Sequence, residues 1–175
     1  MITRELTHAD TLARALDPRW SWRPTSGAGA ARSGGRYNRL GLEAVYLSFD
    51  PATALAEYQQ TAPFLPPATV ASFRAIARVV DLMRFNPQDD NWDGLWSLWD
   101  TDWRDLLFQE HIEPPTWLLG DMTISAGHHG IVFPSLVHQG GRNVVLFPST
   151  FGREASLMCL DPDRRLPRDD LSWRH

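Results

Sequence analysis

Arg36 follows Gly34 and Gly35, Tyr46 stands in the apolar run 45–49, and Glu57 lies in the Ala-rich stretch beyond it. Arginine is permanently cationic and grips phosphate with a planar fork of donors. Tyrosine offers a flat ring with a polar tip. Glutamate accepts from hydroxyls and faces developing positive charge. Together they suit a phosphorylated ligand with a ribose and an aromatic base, and a reaction that builds positive charge on the sugar. Each also has a plainer reading. Arg36 is then a solvated turn residue, Tyr46 a core tyrosine with a satisfied hydroxyl, and Glu57 a solvated helix residue. The two glycines are compatible with the phosphate clamp, since they let backbone approach a ligand closely, and equally with the plain turn. Arg32 and Arg39 flank Arg36 and extend a local positive patch.

Other candidates are weaker. Ser135 follows Phe133 and Pro134 at the end of an expected strand. Its surroundings are not Gly-x-Ser-x-Gly, so a hydrolase nucleophile elbow is not supported. Arg142 and Asn143 follow Gly140 and Gly141, and either present donors to a ligand or begin a strand. His128 and His129 are adjacent, point apart on most backbones and have no carboxylate at ligand spacing, so no metal is expected. Trp92, Trp96, Trp99 and Trp103 recur at helical spacing, with Asn91 as a possible cap, and read as core rather than as a stacking platform. Gly27-Ala28-Gly29 is too short for a dinucleotide fingerprint.

The elements that must carry these residues follow from pattern. Residues 8–17 form either a short helix or an opening strand, and 24–35 read as a loop. Residues 45–49 read as a strand. Asp50-Pro51 starts a helix that runs to about Gln60, before the prolines at 63, 66 and 67. Residues 70–79 alternate as a half-buried strand. Residues 116–125 read as a helix capped by Thr116, 130–133 and 143–147 as buried strands, and 155–160 as a last short strand. Strands and helices do not alternate regularly. The expectation is an α+β single compact domain with mixed sheets over 1–175, with 151–175 as a peripheral C-terminal extension.

Composition bounds the rest. The chain has 175 residues, a net charge of −4 and one cysteine, Cys159. The length suffices for one domain with a core. The charge gives no electrostatic case for nucleic acid or an anionic membrane. A single cysteine excludes an internal disulfide framework and a Cys-based zinc site. No apolar run is long enough to span a bilayer, and no hydrophobic signal core opens the chain, so the expected location is the cytoplasm.

Several signals in one order resemble the RES-domain family. They are Gly34-Gly35-Arg36-Tyr37-Asn38, then Val45-Tyr46-Leu47-Ser48, then Ala54-Leu55-x-Glu57, then Phe133-Pro134-Ser135, then Gly141-x-Asn143 with the apolar run to Phe147. The resemblance covers about residues 12–148. It matches Arg36, Glu57 and Ser135 to the three residues that name the family, Tyr46 to its active-site tyrosine, and Arg14 to a further arginine near the start. It implies a fold similar to that of ADP-ribosyltransferase toxins, and a toxin that consumes NAD+ as its substrate without a metal. The bond broken is expected between nicotinamide and ribose, with ADP-ribose passed to water, phosphate or another acceptor. The alternative within enzymes is mono-ADP-ribosylation of a host protein. The alternative of another class is a non-catalytic co-regulator bound to its antitoxin. The implied partner is an antitoxin with an Xre-like DNA-binding region. On this resemblance Arg36, Tyr46, Glu57 and Ser135 form the catalytic set, and Arg14, Arg32, Arg36, Tyr46 and Asn143 hold NAD.

Overall fold

The structure is a computed structural model that describes residues 1–60 and 62–171. Its strands are β1 (Thr3–Leu6), β2 (Leu12–Leu16), β3 (Val45–Ser48), β4 (Thr69–Asp81), β5 (Gly130–Pro134), β6 (Arg142–Leu146) and β7 (Ser156–Leu160). The helices used below are α1 (Ala28–Ser33), α2 (Pro51–Gln59), α3 (Trp103–Asp105) and α4 (Thr116–Ser125). The architecture is the expected mixed α+β domain.

The thirteen-residue strand β4 organises the sheet. Its first half pairs with β2 and β7, and its second half with β1 and β5. From β2 the pairing runs through β3 and β6 to β5, which returns to β4. Five strands therefore close a circuit, and a closed circuit leaves few free edges. Only β4 with β5 is parallel.

Alternation along the strands makes two cores. Phe73, Ala75, Ala77 and Val79 of β4 meet Leu12, Val45, Leu47, Val132 and Val144 on one face. Tyr37, Ile131, Phe133, Val145 and Phe147 face the other way, against Trp92, Trp96 and Leu119. Val144 and Val145 thus serve opposite cores, as a period of two requires.

Helix α2 starts as its sequence dictates. Asp50 accepts from the Thr53 N–H at 2.8 Å and Pro51 occupies the first turn. Such a cap contributes about 1 kcal/mol. The helix packs chiefly on β2, which brings Glu57 over the sheet.

Residues 8–17 take the strand alternative, as β2. Four other expectations need correction. The loop expected over 24–35 contains the short helix α1, which opens with the Ala31 N–H donating to the Gly27 carbonyl. The Trp-rich run is not one helix. Asp93 accepts from the Leu95 N–H and Asp102 from those of Arg104 and Asp105, so aspartate caps interrupt it and restart it as short turns. Residues 151–175 are not wholly a peripheral extension, because β7 pairs with β4 from Ile76↔Ser156 to Ser72↔Leu160. Last, Thr116 begins α4 without capping it, and its buried hydroxyl has no partner among the described residues.

Candidate active site

The Gly-Gly-Arg turn is built around Tyr46 and Asn38. The Tyr46 hydroxyl donates to Asn38 Oδ1 at 2.9 Å and accepts from the Tyr37 N–H at 3.0 Å. Asn38 is fully buried, and its Nδ2 donates to the carbonyls of Ala30, Arg39 and Leu42. Gly35 has no alternative here. A Cβ would lie 2.4 Å from Asn38 Oδ1 and 2.6 Å from the Tyr46 oxygen. Gly120 on α4 is equally constrained, with the Tyr37 carbonyl 1.9 Å from a would-be Cβ, so the helix lies directly on the turn. The Tyr46 hydroxyl is thus spent on architecture, and burial pushes its pKa up. Its ring still lines the cavity.

Arg36 is held by the Trp-rich segment. One terminal nitrogen, Nη1, donates to the carbonyls of Trp99 at 3.2 Å and Thr101 at 2.9 Å. Tyr37 donates its hydroxyl to the same Trp99 carbonyl at 3.2 Å. Segment 92–103 therefore has two uses. Buried Trp92, Trp96 and Trp103 fill core, and its backbone orients Arg36.

Glu57 is held from the opposite side. Its Oε1 accepts from Ser135 Oγ at 2.8 Å and from Asn143 Nδ2 at 2.5 Å. Ser135 Oγ accepts in turn from the N–H groups of Val137 and His138. Asn143 Oδ1 accepts from buried Ser48 Oγ at 2.7 Å. The loop after β5 is pinned to α2, since His138 Nδ1 meets Thr53 Oγ1 at 2.8 Å. Thr53 spends its one hydroxyl proton on Asp50 Oδ2, so the imidazole is the donor in that contact. Among the described residues nothing hydrogen-bonds Glu57 Oε2.

These groups surround a cavity of about 350 Å³, within the range of small-ligand sites. Arg14, Arg36, Tyr46, Glu57 and Asn143 line it together with Trp103, Arg104 and Leu136. Arg14 donates Nη1 to the carbonyls of Pro24 and Ser26 at 2.8 and 3.0 Å, and burial pushes its pKa down to about 10. It forms no ion pair among the described residues. An enclosed cation without a carboxylate is costly until an anion arrives.

Not every candidate belongs to the site. Arg32 is exposed on α1 and away from the cavity lining. Ser135 donates its hydroxyl to Glu57, and Asn143, which lines the cavity, donates one amide N–H there. Arg39 pairs with Glu113 at 2.6 Å and Asp121 at 2.8 Å. His129 Nδ1 accepts from the Arg78 N–H, and burial lowers the His128 pKa. Among the described residues no group of three or more His, Cys, Asp or Glu could hold a metal ion, and no helix is long and apolar enough to cross a membrane. Sequence reasoning missed Ser48, His138 and Arg104. Ser48 lay inside the matched strand motif and Arg104 beside the Trp stripe, but neither has a local pattern that marks it.

A family model described as the RES domain matches residues 11–169, well beyond the 12–148 span of the sequence resemblance. None of the curated proteins matches the chain. Among solved structures it is similar to the crystal structure of the M. tuberculosis MbcT–MbcA toxin–antitoxin complex, at 19% identity and a TM-score of 0.50. The similarity covers 94% of this chain and 91% of that one.

Proposed function

The chain belongs to the RES domain family, and from that premise we propose that it is the toxin of a toxin–antitoxin pair and an enzyme that cleaves the nicotinamide–ribose bond of NAD+. The observation that carries this reading is the state of Glu57. One carboxylate oxygen is fixed by two donors, and the other accepts no hydrogen bond among the described residues, in a cavity that also contains arginines. A carboxylate so fixed suits a sugar cation, as in glycoside hydrolysis. The bond from C1′ to the nicotinamide nitrogen breaks, and nicotinamide leaves with the bonding pair. Glu57 Oε2 faces the oxocarbenium-like ribose. The acceptor adds at C1′ and gives up its proton.

The other residues divide the binding work. Arg36 has Nε and Nη2 free for a phosphate, and Arg14 supplies a second enclosed cation. The Tyr46 ring packs against the ribose or the nicotinamide. Ser135 and Asn143 are positioning residues that act through Glu57. Water, phosphate or a protein side chain completes the reaction.

The test is direct. Purified protein incubated with NAD+ should release nicotinamide. Chromatography of the small molecules and a blot for modified protein then separate free ADP-ribose, its phosphorylated derivative and a labelled protein. Release of no nicotinamide under any of these conditions removes the proposal. Turnover should also survive exhaustive chelation, since cation stabilisation is assigned to Glu57. Loss with EDTA and recovery with zinc or magnesium would require a different mechanism.

The partner is an antitoxin with an Xre-like DNA-binding region. Support comes from the family and from the likeness to a fold solved as a toxin–antitoxin complex. Silencing follows most simply if an antitoxin segment occupies the cavity and pairs with Arg36. NAD and antitoxin then compete. With a Glu57→Gln variant, which does not consume the ligand, apparent antitoxin affinity should weaken in proportion to NAD above its dissociation constant. An affinity that stays flat under saturating NAD means that the antitoxin binds elsewhere.

A further inference from the structure

Arg104 lines the same cavity as Arg36 and Glu57. Its position is set locally. Asp102 accepts from the N–H groups of Arg104 and Asp105 at 3.1 and 3.2 Å, which caps α3 and fixes the backbone there. The Arg104 guanidinium carbon lies 4.5 Å from the centroid of the Trp103 ring, and Trp103 is buried. The planar cation is thus laid on an anchored aromatic surface. Among the described residues the side chain makes no hydrogen bond and no ion pair.

The electrostatic setting is unusual for an arginine at a surface. Burial opposes its charge most, then the charge of Arg36; Glu57 and Asp102 favour it. Three guanidiniums, those of Arg14, Arg36 and Arg104, therefore line one cavity with a single carboxylate, and that carboxylate already accepts two hydrogen bonds at one oxygen. Neighbouring like charges repel unless an anion lies between them. Arg36 and Arg104 depend on one stretch of chain. The carbonyls of Trp99 and Thr101 hold Arg36, and Arg104 follows three residues later. The pair is placed as a unit, with Arg36 using only Nη1 and Arg104 using no donor at all.

We propose that Arg104 is a further substrate-binding residue that forms, with Arg36, a clamp for the diphosphate of a dinucleotide, beside the enclosed Arg14. The proposal rests on the NAD reading of the site. A diphosphate brings two negative charges to two guanidiniums, so each phosphate receives a fork of donors. The chain is acidic overall, with net charge −4, and long-range attraction does not favour an anionic ligand. The contact must be made at short range, which is what a rigidly stacked arginine provides. The clamp also sets specificity. A ligand with two phosphates engages both members of this Arg36–Arg104 pair, a mononucleotide gains less from the pair, and a nucleoside nothing.

The test is calorimetric binding of NAD, nicotinamide mononucleotide and nicotinamide riboside to the Glu57→Gln protein, with and without Arg104→Ala. Removing Arg104 should weaken NAD binding about 10- to 100-fold, the loss of a charge-assisted contact. Mononucleotide binding should weaken less, and riboside binding should not change. Arg104→Lys should recover part of the NAD affinity, since it restores the charge without the fork. Arg104 is an exposed residue with no hydrogen bond or ion pair among the described residues, so the melting temperature should hold in both variants. NAD affinity that is indifferent to Arg104 overturns the proposal alone. An equal loss for all three ligands also overturns it, because stacking or a structural role would then explain the effect. A Glu57→Gln protein that binds no NAD overturns the NAD reading, and the clamp with it.

Discussion

Glu57→Gln should lower NAD turnover by about 10²- to 10³-fold, the scale on which one preorganised electrostatic group acts, while NAD affinity stays nearly unchanged. The geometry makes this substitution unusually clean. Both neighbours of Oε1, Ser135 Oγ and Asn143 Nδ2, are donors. A glutamine therefore keeps its carbonyl oxygen toward them and turns its amide nitrogen to the place of Oε2. Shape and hydrogen bonding persist, and only the charge facing the sugar is lost. An interaction made mainly in the transition state is then removed, which lowers kcat without raising KM. Single-turnover rates and calorimetric affinities on the folded variant measure the two quantities separately. Unchanged turnover would remove Glu57 from the mechanism.

Trp96→Ala should cost about 3–5 kcal/mol of stability, the range for truncating a large buried aromatic. Trp96 is fully buried, and its ring packs edge-on against Trp92 with centroids 5.4 Å apart. For a chain of this length each kcal/mol lowers Tm by roughly 2–4 °C, so a thermal melt reads the loss directly. Trp96→Phe should cost much less, because the indole N–H has no partner among the described residues to lose. The Ala variant should also bind NAD more weakly, since the turn that follows Trp96 supplies the carbonyls that orient Arg36. Little change in melting together with lost ligand or antitoxin binding would instead mark Trp96 as part of a recognition face.

What the sequence made readable was local. Asp50-Pro51 announces α2, and the observed helix ends at Gln59, next to the expected Gln60. The alternation over 70–79 sits inside β4, whose true ends lie at Thr69 and Asp81. The buried strands near 130 and 143 also stand where their apolar runs put them. The site was readable only as an order of motifs. Arg36, Tyr46 and Glu57 do line one cavity, with Ser135 bonded to Glu57. What could not be read were consequences of three-dimensional contact. The Tyr46 hydroxyl faces inward to the turn, Asn143 serves Glu57, and Arg32 stays on the surface. Arg104 reaches the cavity only because Asp93 and Asp102 break the Trp run into turns. Trp spacing alone predicts a continuous helix, and a continuous helix would have placed residue 104 elsewhere.

The hydrogen bonds to Glu57 span long stretches of chain, from residue 57 to 135 and to 143. A ribosome makes the carboxylate long before it makes either donor. Until β6 has emerged, the growing polypeptide holds Glu57 without Ser135 and Asn143, and the circuit of strands that carries it is open. The candidate site therefore comes into being only after residue 143 has been made. A chain released before residue 143 lacks both donors of the Glu57 arrangement or the second of them, and so lacks the assembled site.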